Sequence, residues 1–563
     1  MKRKISIKMI HEFSVINFLH VGVLLFGAVL LVGVGHAGGE VFTALTEMEE
    51  LLETEAVLIN NLEGYINVQE RKMEYLKKKM NEYQKEHEEA SADISEYLAN
   101  PINAYLLTKR LTSDWKQIEN LMEYDVGTEF LDNITNFREV LKFPTDEDLN
   151  GAAVALMRLQ DTYNLDTSSV ARGELNGIQY STEMTSNDCF ELGRQSYMNG
   201  DYYHTKLWMN EAMDRLQAEH NRTYYSEVSK ADILEYLAFS VYKEGDVATA
   251  LNMTNELLQL MPDHERALGN KGYYEKEVAE LQRKRKGDDG TSPFADISIR
   301  LKSNPLVYDE SEKKLYEMLC RGELKPTPAQ QRPLRCRYIS HNNPFLKLAP
   351  FKVEEANLDP YIVIFHEVIH DHEIEYVKKS AKPRFKRATV QNSKTGELET
   401  ANYRISKSAW LKDTEHPIIK NIVTRVGDLT NLNMATAEEL QVVNYGIGGH
   451  YEPHFDFARK EETNAFKDLN TGNRIATLLF YMSDVEQGGA TVFPSLQTAV
   501  WPKKGTAAFW YNLYASGEGD YRTRHAACPV LTGTKWVSNK WIHERGQEFH
   551  RPCALQPDHP EWD

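Results

Sequence analysis

The sequence predicts a multidomain α + β chain: a long N-terminal helical region, a block of paired helices, and a C-terminal β-rich domain. Three observations carry this. Twelve positions from Leu45 to Tyr83 step alternately by three and four, and ten of them are apolar. Two helical stretches interrupted by Gly-Asp follow between about 185 and 280. Short apolar runs punctuated by Gly and Pro fill the last third of the chain. These are the signatures of a heptad helix, a helix-pair repeat and a β sandwich or barrel. A chain of 563 residues also exceeds what one core accommodates. The formal net charge of -18 disfavours nucleic acid as a partner, because phosphates would be repelled.

Residues 1–37 read as a signal peptide. Lys2, Arg3, Lys4 and Lys8 give a basic start, Val21–Val34 is an apolar core, and Gly35-His36-Ala37 places small residues at a cleavage site. Asn17 and His20 cut the apolar run short of a comfortable span, so no membrane span is expected after cleavage; an uncleaved anchor is the alternative. The chain is therefore read for an oxidising compartment. Of its five cysteines, the simplest pairing joins Cys320 to Cys336 and Cys528 to Cys553, leaving Cys189 over, although sequence does not determine connectivity. Asn133, Asn221 and Asn252 stand in N-x-T sequons and are candidate glycosylation sites.

The first domain is expected over 38–175. Leu45, Met48, Leu52, Glu55, Ile59, Leu62, Ile66, Gln69, Met73, Leu76, Met80 and Tyr83 form a heptad seam, apolar except at Glu55 and Gln69. A 3.5-residue period means helices wrapping one another, so this region is read as a coiled-coil dimerisation segment. A long helix packed on its own bundle is the alternative. The second domain is expected over 180–281. Its Gly200-Asp201 and Gly245-Asp246 turns separate paired helices, an arrangement similar to tetratricopeptide (TPR) units with a concave groove. Tyr236, Phe239 and Tyr273 lie at helical spacings, with Arg266 and Asn270 on a neighbouring face. Rings with an Arg and an Asn suit an extended Pro-rich peptide, whose prolines stack and whose carbonyls need donors. A basic, polar linker is expected over 282–335.

The β-rich domain, 336–563, carries the chemistry. His454 and Asp456 are two apart after the strand-like "LQVVNY", and side chains at that spacing share a strand face. Two histidines and one carboxylate leave open positions on a metal, as in non-haem Fe(II) oxygenases. His525, His543 and His550 are the candidates for the third ligand. Of these, His525 is followed by Lys535 at the start of a new strand, where a cation would hold the far carboxylate of 2-oxoglutarate.

The stretches "YEPHFDFARK", "TGNRIATLLFYMSDVEQGGATVFP" and "WPKKGTAAFWYNLYASGEGDYRTRHAACPVLTGTKWVSNKWIHERGQ" resemble the catalytic domain of collagen prolyl 4-hydroxylase α subunits. "NDCFELG" and "DHERALGN" resemble that family's peptide-binding domain, and the likeness extends loosely into the N-terminal helices. The resemblance implies a double-stranded β-helix (jelly-roll) dioxygenase domain. It implies His454, Asp456 and His525 as iron ligands and Lys535 as the 2-oxoglutarate anchor, with Tyr445 and Thr491 facing the cosubstrate. Tyr451, Arg474, Trp541 and His543 would lie near the substrate peptide. Tyr236, Arg266, Asn270 and Tyr273 match positions that hold a Pro-rich strand; Phe239 departs, since the family commonly has Tyr there, which keeps the stacking and drops one hydrogen bond to the peptide.

The implied reaction hydroxylates C4 of a peptidyl proline in X-Pro-Gly sequences with O2, as 2-oxoglutarate is decarboxylated to succinate and CO2; ascorbate keeps the Fe(II) reduced. The implied partners are procollagen chains and protein disulfide isomerase, as the β subunit of an α2β2 tetramer. The implied location is the lumen of the endoplasmic reticulum, with retention through that partner because the chain ends "HPEWD". A lysyl hydroxylase would keep the triad without a proline-peptide domain. A scaffold would tolerate a broken triad. A zinc hydrolase would need a general base that the sequence does not offer.

Overall fold

The computed structural model describes residues 41–219, 227–287, 310–391, 398–462, 465–466 and 469–555. The expected signal at 1–37 and the sequon residue Asn221 lie outside them. Among the described residues no helix is long and apolar enough to cross a membrane.

The heptad stretch is one helix, α1 (Leu45–Ala92, 48 residues). It uses one face within the chain. There Tyr65 meets Phe130 edge-on at 5.7 Å, and Asn61 donates to the Phe130 carbonyl at 3.1 Å, both from α2 (Gly127–Val140). Half of the seam faces elsewhere, with Leu52, Ile59, Leu62, Ile66, Met73 and Met80 all exposed, while its last residue, Tyr83, packs on Trp115 at 5.8 Å. Packing within the chain therefore covers only part of the seam. Asn133 is on α2 and gives its amide to Asn61 at 3.3 Å. Next comes α3 (Asp146–Tyr163), opened by a Thr145/Asp148 capping box.

Five helices build the second domain: α4 (Ser186–Met198), α5 (Tyr202–Glu219), α6 (Lys230–Lys243), α7 (Val247–Leu260) and α8 (Glu265–Gly287). The Gly-Asp motif has a local cause. Gly200 and Gly245 adopt φ of 74° and 96°, which ends one helix; the following Asp then caps the next, accepting from the His204 and Thr249 amides at 3.1 and 3.0 Å. Cys189, Trp208, Met209, Ile233, Leu237 and Tyr274 form the core. Asn252 is an exposed position on α7.

The third domain is antiparallel throughout. The strands of its two larger sheets are β1 (Cys336–Ile339), β2 (Phe351–Leu358), β3 (Tyr361–His366), β4 (Lys386–Arg387), β5 (Lys407–Leu411), β6 (Leu440–Asn444), β7 (Tyr451–His454), β8 (Arg474–Tyr481), β9 (Thr491–Phe493), β10 (Thr498–Val500), β11 (Ala507–Tyr511), β12 (His525–Ala527) and β13 (Trp536–His543). A nine-stranded sheet runs β1-β2-β3-β11-β8-β13-β6-β5-β4, and a four-stranded sheet runs β7-β12-β9-β10. In β8, Ala476, Leu478 and Phe480 belong to a cluster with Ile419, Ile422 and Val426 of the helix Pro417–Thr430. Leu479 and Tyr481 belong to another, with Phe493 and Val500 of the small sheet. That alternation is the period of two that a strand buried on both faces requires.

Two expectations are corrected here. The range expected as linker contains α9 (Glu310–Cys320), which packs with α3 on the small sheet. The disulfide is Cys320–Cys528, with Cα atoms 5.5 Å apart across 208 residues of sequence. Cys336 and Cys553 are exposed free thiols, and Cys189 is a buried free thiol. The local pairings fail because α9 carries Cys320 into the cluster of Val492, Ala526 and Cys528. Cys336 instead goes to the edge strand of the large sheet.

Candidate active site and peptide groove

His454 ends β7 and His525 begins β12, and the two are direct partners across the ladder. Asp456 follows two residues after His454. The Asp456 oxygens reach His454 Nε2 at 3.7 Å and His525 Nε2 at 3.6 Å. One ligand atom from each of the three lies within 4.8 Å of the others. Each imidazole is oriented by its far nitrogen. His454 Nδ1 donates to the Glu452 carbonyl at 2.8 Å, and His525 Nδ1 to the Thr523 carbonyl at 3.0 Å. Both Nε2 atoms therefore remain free to bind a metal. Thr477 donates to Asp456 Oδ2 at 2.7 Å and accepts from Asn512 at 3.0 Å.

The electrostatics agree with a cation site. Burial opposes ionisation of Asp456, but His525, His454 and Arg474 outweigh it and bring its carboxyl to about 2. Burial, with the nearby His525, holds His454 well below its ordinary value and so neutral, the form that ligates. Trp510 and Phe493 stand 4.7 and 5.7 Å from the His525 ring and make that side apolar.

Lys535 is 1% exposed, directly before β13. Its ammonium lies 4.8 Å from the centre of the Tyr445 ring and has no ion-pair partner among the described residues. Burial alone pushes its pKa down to about 7. Tyr445 in turn lies close enough to Asp456 to feel its charge, and an unpartnered buried cation on that ring fits a dianionic cosubstrate. Thr491 accepts from the Tyr481 hydroxyl at 2.8 Å on the same inner face. The residues present thus suit Fe(II) with 2-oxoglutarate.

The expected substrate side also converges. The Tyr451 ring stacks on His454, with centroids 3.5 Å apart. The Arg474 guanidinium lies 3.9 Å over Trp541 and donates to the Asp456 carbonyl at 3.4 Å. Arg474 and His543 both reach Glu438, at 3.0 Å each. Burial opposes the charge on Glu438; Arg474 and His543 prevail and lower it to about 2. Sequence reasoning missed Glu438, which has no pattern separating it from a surface acid in "ATAEEL". It also missed Thr477 and Asn512, whose signal is a polar residue inside the apolar runs "RIATLLFYM" and "FWYNLY". His550, weighed as a ligand, is exposed and outside the triad.

In the helical domain the aromatic stripe is longer than predicted. Tyr197 of α4 meets Tyr236 at 5.0 Å and Phe239 at 5.7 Å, and Tyr202 of α5 meets Phe239 at 5.8 Å. Tyr242 continues it to Tyr273 at 5.7 Å. Arg266 pairs with Glu235 at 2.8 Å beside Asn270 and Phe239, in a shallow pocket that Tyr197 and His264 also line. The signal for Tyr197 and Tyr202 was their place flanking the first Gly-Asp turn.

Family profiles match all three regions: prolyl 4-hydroxylase alpha-subunit N-terminal region over 44–177, prolyl 4-hydroxylase peptide-substrate-binding domain over 186–280, and 2OG-Fe(II) oxygenase superfamily over 440–543. Prolyl 4-hydroxylase subunit alpha-1 of Bos taurus is 50% identical over 535 residues, covering 95% of this chain and 98% of its own. The chain belongs to the prolyl 4-hydroxylase alpha-subunit family. Subunit alpha-2 of Caenorhabditis elegans is 51% identical over 533 residues, covering 94% of this chain and 96% of its own. Among solved structures, the 2OG complex of a viral collagen prolyl hydroxylase from Paramecium Bursaria Chlorella virus-1 aligns over 32% of this chain and 94% of its own. Identity there is 25% and the TM-score 0.26. As a prolyl 4-hydroxylase alpha-subunit family member with this oxygenase domain, the chain is an Fe(II)- and 2-oxoglutarate-dependent dioxygenase.

Proposed function

We propose that the chain is the α subunit of a procollagen-proline 4-dioxygenase, hydroxylating C4 of proline in X-Pro-Gly repeats. The observation that carries the reading is the His454–Asp456–His525 cluster, in the same domain as a buried Lys535 ammonium that rests on the Tyr445 ring without an ion-pair partner among the described residues. Fe(II) bound there supplies O2 activation tied to decarboxylation of 2-oxoglutarate to succinate and CO2. The chain's own residues do the rest. His454, Asp456 and His525 hold the metal. Lys535 holds the far carboxylate of the cosubstrate, with Tyr445 and Thr491 lining its pocket. Tyr451 and the Arg474–Trp541–His543 cluster present the peptide, and Trp510 with Phe493 keep water from that side.

The aromatic groove would capture Pro-rich procollagen chains in an extended, left-handed conformation, which raises their concentration at the oxidation site. The exposed seam of α1 would pair two copies. Protein disulfide isomerase as β subunit, an α2β2 assembly, residence in the endoplasmic reticulum lumen, ascorbate as reductant, and glycans on exposed Asn252 complete the proposal.

Mass spectrometry of Pro-Pro-Gly repeats tests it, using the protein assembled with that partner, Fe(II), 2-oxoglutarate and ascorbate. One oxygen per modified proline is expected. Absence of added oxygen from an intact assembly, or oxygen on Lys-containing repeats instead, would overturn the reading.

A further inference from the structure

The turn Tyr445–His450 joins the cosubstrate side of the site to the strand that carries His454, and the start of the helical region sits on it. Val41, Phe42, Thr43 and Ala44 are 4%, 8%, 0% and 0% exposed. Their backbone is held by a buried carboxylate, since the Val41 and Phe42 amides both donate to Asp148. The Phe42 ring occupies the space at Gly151, where a Cβ would come within 2.2 Å of it. The Phe42 carbonyl accepts from the Ile447 amide at 3.2 Å. It also lies 2.0 Å from where a Cβ on Gly446 would stand. From α3, the Ala155 carbonyl would meet a Cβ on Gly448 at 2.9 Å, and Arg158 donates to the Gly448 carbonyl at 3.4 Å. The glycines are thus required by a close approach of one domain's backbone to another's.

A hydrogen-bond relay continues inward. The Thr46 amide and hydroxyl both reach Asn444 Oδ1 at 3.4 Å. Asn444 is fully buried and donates its amide to the Lys535 carbonyl at 3.3 Å. The Tyr445 amide donates to the same carbonyl at 3.2 Å. Glu47 ion-pairs with buried Lys407, which lies opposite Asn444 in the ladder, and with Lys142 at 2.7 Å.

We propose that Val41–Glu47 is a strap that positions the cosubstrate pocket. It acts through Asn444 on Lys535 and Tyr445, and through Gly446–Gly448 on the strand bearing His454. None of its residues touches the reacting atoms; they are positioning residues. Because the strap runs straight into α1, the helix with the open seam and the oxidation site share one stretch of backbone. The inference rests on the assignment of Lys535 to 2-oxoglutarate.

The test is calorimetric binding of 2-oxoglutarate to the complete, Fe(II)-loaded, oxygen-free enzyme. Thr46→Val removes the hydroxyl at constant shape and is expected to weaken binding about three- to tenfold. Thr46→Ser is expected to restore it, and the KM for Pro-Pro-Gly peptide is expected to stay unchanged in both. An unchanged 2-oxoglutarate Kd in folded Thr46→Val overturns the strap, as does a loss shared with the peptide KM that Thr46→Ser does not recover. Should Thr46→Val not fold, Phe42→Leu takes its place, with a weakened Kd at constant peptide KM expected and an unchanged Kd overturning. Lys535→Ala separates the two failures. If it binds 2-oxoglutarate normally, the pocket assignment falls and the strap with it. If it binds weakly while the Thr46 or Phe42 variant is normal, only the strap falls.

Discussion

The oxidation site and the peptide groove are built on opposite terms. The first is closed: Asp456, His525 and Lys535 are buried, and they lie on or beside strands from the middle and the end of the domain's sequence, in two sheets. The second is open: Tyr273 is 55% exposed, and its rings come from helices that follow one another along the chain. The difference follows from the tasks. A metal centre must remove water and fix ligand geometry, which takes packing on all sides. A groove that captures a long chain must leave its rings accessible to the partner. Each would fail with the construction of the other.

Three measurements probe that contrast. The largest effect is expected from His454→Ala, which should reduce succinate production by roughly a thousandfold or more while leaving capture of Pro-rich peptide by the groove intact. Loss of capture as well would show that the two sites are not independent.

An intermediate effect is expected from pH. Lys535 has its pKa lowered to about 7 by burial, and the cosubstrate favours its charged form. Below about 7 the lysine is already protonated, so affinity for 2-oxoglutarate should be flat with respect to this group. Above it, binding must take up a proton, and Kd should rise by up to about tenfold per pH unit. Titration from pH 6.5 to 9 checks this, and Lys535→Arg should flatten the rise. Peptide capture should not follow the same curve.

The smallest effect is expected at Phe239, which packs between Tyr197 and Tyr202 with Lys243 Nζ 5.4 Å from its ring centre. Phe239→Tyr restores a hydroxyl and should tighten Pro-rich peptide binding by about two- to fivefold, read by fluorescence titration, with 2-oxoglutarate turnover on short peptides unchanged.

Legibility in the sequence divides along the same line. The heptad seam, the Gly-Asp turns and the ring stripe could be read because each is a local period or a local backbone requirement, and helices keep neighbours in sequence as neighbours in space. His454 and Asp456 could be read as a pair for the same reason. The role of Glu438 could not, because it exists only where Arg474 and His543 arrive at it from β8 and β13. Nor could the relay from Thr46 through Asn444 to Lys535, which joins residues almost five hundred positions apart.

The cysteines mark the boundary most clearly. Nearness in sequence pointed to Cys320–Cys336 and Cys528–Cys553, because short loops close at the least entropic cost. The fold instead buries α9 against the small sheet and brings Cys320 to Cys528. The sequence alone settles the order of the domains, the helix seam, the repeat turns and the chemical type of the metal ligands, since these depend on residue identity and short-range spacing. Which cysteines meet, what orients the ligands and which segment packs against Asn444 and Gly446 were decided by the tertiary structure. Those depend on how buried faces from distant segments pack, and no local pattern encodes that.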